Sequence, residues 1–107
     1  MLADPGNASV QSALDVAGCA RLARDTALRQ EGVAGMSTGL AEKLGVRKTP
    51  GVVARVGQDG WLRMDLWIVA RHGVDLLQVG SRVQEAVIAA VRESSESPIG
   101  PVNVHVT

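Results

Sequence analysis

Thr49-Pro50-Gly51-Val52-Val53-Ala54-Arg55-Val56-Gly57-Gln58-Asp59-Gly60-Trp61-Leu62-Arg63-Met64-Asp65-Leu66-Trp67-Ile68-Val69-Ala70-Arg71 is the stretch that decides the fold. Pro50-Gly51 sets a turn, and Val52, Ala54 and Val56 then alternate with Val53 and Arg55 as a strand requires. Gly57-Gln58-Asp59-Gly60 supplies the chemistry of a hairpin turn. Beyond it the period stays at two: Leu62, Met64, Leu66, Ile68 and Ala70 fall on one face, and Trp61, Arg63, Asp65, Trp67, Val69 and Arg71 on the other. The first face is core. The second is mixed, and the partner strand adds Val53 and Arg55 to it. Tryptophan and arginine are the residue types that most often dominate binding energy, so Trp61, Arg63, Trp67 and Arg71 form a candidate interaction face. The competing reading packs Trp61 at the hairpin end and uses Trp67 to cover local core.

Outward from the hairpin, His72-Gly73-Val74 turns the chain and Asp75 is placed to cap a helix, with Gln78 three residues on. Leu76, Val79, Val83, Ala86, Val87, Ala90 and Val91 make an apolar stripe at helical spacing, ending near Ser94. Ser95 to Pro101 reads as a connector, and Pro101-Val102-Asn103-Val104-His105-Val106 as a last strand with three valines inward. Upstream, Val10 to Gln30 holds no proline, and Val16, Cys19, Ala20, Ala23 and Ala27 predict a first amphipathic helix, with Ser9 as N-cap and Gly32 as stop. Gly32 to Gly39 reads as a turn-rich connector, followed by one or two helical turns over Leu40 to Gly45. Residues 1–8 read as a flexible tail and 9–107 as a single domain. The order predicts an α+β fold: a small mixed or antiparallel sheet, hairpin plus C-terminal strand, with two amphipathic helices packed on one face.

Composition limits the function. The 107 residues are 46% apolar and 21% charged, a globular balance for one domain. Eleven Lys and Arg balance eleven Asp and Glu, which removes the long-range field a general nucleic-acid binder uses, and the absence of Phe and Tyr removes most base-stacking rings. The single Cys19 lacks a partner for an intramolecular disulfide, in keeping with a reducing cytoplasm. Met1 to Asn7 does not read as a signal peptide, and the longest apolar runs, such as Ala86 to Val91, are far below the roughly 18 residues of a membrane span.

Candidate chemistry is equally sparse. Neither Gly32 nor Gly35 leads to the Gly-Lys pair of a phosphate-binding loop. Gly32-Val33-Ala34-Gly35 matches the bare G-x-x-G of KH domains between two helical segments, but Val33 and Ala34 offer no cation to a nucleic-acid backbone. His72 and His105 are 33 residues apart with no ligand-type neighbour at helical spacing, and Ser37 is not in a nucleophile elbow. These residues predict no catalytic, cofactor-binding or metal site, and hence a protein that is not an enzyme.

Glu31-Gly32-Val33-Ala34-Gly35-Met36-Ser37, the strand with Asp65-Leu66 and its Gly73-Val74 exit, and the closing Val102-Asn103-Val104-His105-Val106 together resemble the alkaline shock protein family, the general-stress and envelope-stress proteins of Gram-positive bacteria. The similarity runs from about Val10 to Thr107. Members usually continue beyond this point, so a truncated C-terminus is expected. The resemblance implies a non-enzymatic, abundant cytoplasmic protein that self-associates. It also implies a peripheral place at the inner face of the cytoplasmic membrane, held through a membrane-anchored protein partner of related sequence, with no direct membrane insertion and no small-molecule substrate. Some relatives resemble regulators of lipid metabolism instead. A small nucleic-acid-binding domain, KH-like or open-sheet, is the rival reading from a different class.

Overall fold

The computed structural model describes residues 15–37, 49–95 and 98–107. Six elements follow in order: α1 (Val16–Leu28), β1 (Val33–Met36), β2 (Val52–Val56), β3 (Leu62–Ala70), α2 (Leu76–Ser94) and β4 (Ile99–Val106). The fold is α+β, as the sequence predicts. The sheet is mixed: β1 and β2 pair antiparallel to β3, and β4 pairs parallel to it.

β3 is the centre of the sheet because its alternation gives one uninterrupted apolar face and leaves both edges free to pair. Its odd-numbered residues bond to one edge: Trp67 N donates to Gly51 O, Trp67 O accepts from Ser37 N, and Arg71 N donates to Gly32 O. β2 and β1 therefore lie in tandem along that edge. Its even-numbered residues serve the other, where Leu62 N donates to Pro98 O and Ile68 O accepts from Thr107 N. Two parallel neighbours need a crossover, and α2 supplies it.

The hairpin forms as expected, with pairs from Val52 opposite Leu66 to Val56 opposite Leu62. Gly60, at φ +84°, closes the turn by donating its N–H to Gly57 O at 2.9 Å. α2 also matches its predicted start and end: Asp75 Oδ1 accepts from Leu77 N and Gln78 N, and the helix runs to Ser94. Val79, Val83, Val87 and Val91 are its buried stripe. Against them lie Leu62, Met64, Leu66 and Ile68 of β3, Val52 of β2, Val102 of β4, and Cys19, Ala20, Ala23 and Ala27 of α1. The small side chains of α1 let its axis approach the sheet and α2 closely, so both helices share one face.

Four expectations are corrected. Residues 33–36 are a strand, not part of a connector: once Gly32 adopts φ +93°, the short run pairs with the end of β3, with a register shift between Val33 and Gly35. This also removes the KH reading, since the G-x-x-G lies at the start of a strand rather than between helices. α1 begins at Val16, because Asp15 has extended backbone and its Oδ1 caps Gly18 N at 2.8 Å. Ser9, the expected cap, and the helical turns expected over Leu40 to Gly45 lie outside the described residues. Leu76, placed on the apolar stripe by spacing, is 48% exposed as the first residue of α2. Finally, β4 starts at Ile99, so the connector after α2 is shorter than its Pro and Gly content suggests. No helix among the described residues is long and apolar enough to cross a membrane.

Candidate protein interface

With both helices on the even-numbered face of β3, the odd-numbered face is uncovered among the described residues. Register fixes what shares it. Val53 lies opposite Asp65 and Arg55 opposite Arg63 across β2, while Asn103 pairs with Asp65 and His105 with Trp67 across β4. Inward valines at 102, 104 and 106 force Asn103 and His105 outward, because strand side chains alternate.

Trp67 is half-buried, and its ring stacks on that of His105 with centroids 4.9 Å apart and planes 11° from parallel. His105 Nε2 lies 3.1 Å from Asp65 Oδ1, which fixes the imidazole over the indole. The outcome is a three-residue platform spanning two strands. It is amphipathic: an indole and two polar groups already held in place. Trp67 thus lies on the open face rather than in the core, and Trp61, 47% exposed at the hairpin end, is also open to solvent.

The arginines behave differently. Arg63 Nη2 meets Asp59 Oδ2 at 2.7 Å, so its charge is engaged by its own hairpin turn. Asp59 Oδ1 also accepts from Trp61 N at 3.0 Å, and this bond, then Arg63, holds the Asp59 carboxyl below its usual range. Arg55 is exposed beside Arg63, giving that end of the face a positive bias. Arg71 lies just past the strand, at the opposite end, beside Val74 and the start of α2. The four residues singled out by parity are therefore strung along the whole length of β3. Asp65 and His105, which complete the centre, were not among them. Asp65 has the right parity in the sequence, but His105 joins the face only once β4 is known to neighbour β3.

The motif residues serve the frame. Gly32 is buried, and a Cβ there would come within 2.8 Å of Val79 Cγ2, so glycine permits the contact between β1 and α2. Val33 and Val102 are core, Met36, Val104 and Val106 pack against it, and Ala34, Gly35, Ser37 and Asn103 lie nearer the surface. Cys19 is buried in α1, and desolvation pushes its thiol pKa up, which suppresses thiolate chemistry.

The described residues thus form two layers, with helices on one face of the sheet and an ordered polar and aromatic surface on the other. Residues 9–107 match the model of the alkaline shock protein 23 family, described as having a cell envelope-related function, and the chain belongs to that family. It is 34% identical over 56 residues to an uncharacterized protein, Spy1535, of Streptococcus pyogenes serotype M6; the match covers 52% of this chain and 43% of that protein. The chain thus spans less than half of that relative. In three dimensions it is similar to the copper form of the MamM CTD, with TM-score 0.59 and 18% identity over 84% of this chain and 81% of that one. A doubly substituted MamM CTD gives TM-score 0.57 and 22% identity, over 87% and 82% of the two chains. At these identities the likeness is one of fold.

Proposed function

We propose that this protein is a non-enzymatic envelope-stress module that self-associates through its open sheet face and docks by the same face to a membrane-anchored protein of related sequence. The observation that carries this reading is the Trp67, His105 and Asp65 platform on a face that neither helix covers. An indole already stacked, and an imidazole already tethered, lose little conformational freedom on contact, and that favours association. Membership of a family with cell envelope-related function supports a place beneath the membrane. An anchor of related sequence would present the same kind of face, so one geometry serves both contacts. Affinity capture from native membranes, with wild type and Trp67→Ala compared by mass spectrometry, tests the docking: an integral membrane protein recovered by the first and lost with the second is the expected result. Recovery of the same protein by both forms would move docking to another surface.

A further inference from the structure

Where α1 ends, β1 begins, β3 exits and α2 starts, the chain forms an open cleft of about 690 Å³, within the range of small-molecule sites. Three arginines line it, each from a different segment: Arg29 after α1, Arg71 after β3 and Arg82 on α2. Arg82 Nη1 donates to the Glu31 carbonyl at 3.0 Å. The salt bridges among the described residues join Arg24 to Asp25, Arg63 to Asp59 and His105 to Asp65, so none neutralises an arginine of the cleft. Two carboxylates, Glu31 and Asp75, also line the cleft, and Asp75 is held by its cap bonds to the start of α2. Three cations against two anions leave one positive charge. The accessible apolar lining comes from Leu28 and Val74, while Val33 and Val79 beside them are buried.

We propose that this cleft binds an aliphatic carboxylate, its head held by Arg29 and Arg71 and its chain lying against Leu28 and Val74. A planar guanidinium matches a carboxylate with two parallel hydrogen bonds, and a single negative charge balances the surplus. A polyanion such as a nucleotide would bring its additional charges against Glu31 and Asp75. A neutral polar ligand would leave the arginines unmatched. The site is separate from the Trp67 platform and stands whether or not that face docks a partner.

Titration of the isotope-labelled full chain with decanoate, decanol and acetate, followed by amide NMR, tests the proposal. Decanoate should give saturable shifts at Gly32, Val33, Val74 and Gln78, and bind at least tenfold more tightly than decanol or acetate. Arg71→Gln and Arg29→Gln should each weaken decanoate about tenfold, the scale of a lost charge-assisted pair. Arg55→Gln, on the open face, should leave it unchanged. The Arg71 side chain makes no salt bridge or hydrogen bond among those described, so its variant should keep the wild-type spectrum away from the cleft. No saturation, shifts centred elsewhere, decanol equal to decanoate, or arginine variants that bind like wild type would overturn the assignment.

Discussion

Asp59 shows how much one side chain does in this chain: one oxygen accepts the Trp61 amide and the other holds Arg63, so the hairpin turn and the edge of the open face share an anchor. Its pKa is depressed in the folded state, so the stability it contributes is fully present above the ordinary aspartate value of about 3.9 and is lost as pH falls through the lower folded value. Urea melts in the acid range should show wild type losing this contribution and Asp59→Asn showing a shallower decline, with matching slopes near neutrality. Thr26 is the opposite case. Its hydroxyl is buried in α1 with no hydrogen-bond partner among the described residues. A buried hydroxyl without a partner costs about 1 to 3 kcal/mol, so the isosteric Thr26→Val should raise stability by about 1 kcal/mol in denaturant titration. The alternation in sequence made the inward and outward sides of β3 legible, because period two admits one assignment; the unpaired Thr26 hydroxyl was not, since helical spacing says nothing about which polar atoms find partners.

At the scale of elements, the hairpin and α2 were legible because each carries its own local chemistry: Gly57 to Gly60 for the turn, Asp75 for the cap, valines every four residues for the buried stripe. β1 carries none. Four residues with a glycine among them become a strand only by pairing with the last residues of β3, far along the chain, as Val33 does with Ala70 and Gly35 with Val69. That pairing rests on Gly32, whose φ of +93° and close approach to Val79 exclude a side chain. Gly32→Ala should therefore cost about 2 to 5 kcal/mol from combined backbone strain and overpacking, measured by chemical denaturation, with exchange protection lost first from β1 amides. The platform was half legible for the same reason: Trp67 could be placed by parity within its strand, whereas its stacking on His105 depends on β4 running parallel beside β3.

For the whole molecule, the decisive asymmetry is two helices on one side and none described on the other. The apolar stripe of α2 is already used against the sheet, its four valines at most 2% exposed, so it is not free to lie in a bilayer. Lys43, Arg47 and Lys48, the nearest approach to a basic cluster in the sequence, would add only about 1 kcal/mol each at an anionic surface. Purified protein should stay in the supernatant when spun with phosphatidylglycerol vesicles at physiological salt, and pelleting with them would argue for direct lipid contact in place of a protein anchor. The claim that the open sheet face makes the assembly is tested most directly by sedimentation velocity of wild type and Trp67→Ala, paired with thermal melts. The expected result is an assembled wild type, a variant whose association is weaker by about 1 to 4 kcal/mol, and nearly equal melting temperatures at concentrations where both are monomeric. Unchanged assembly together with a large fall in melting temperature would contradict it, making Trp67 a structural residue and the uncovered face a surface without a partner.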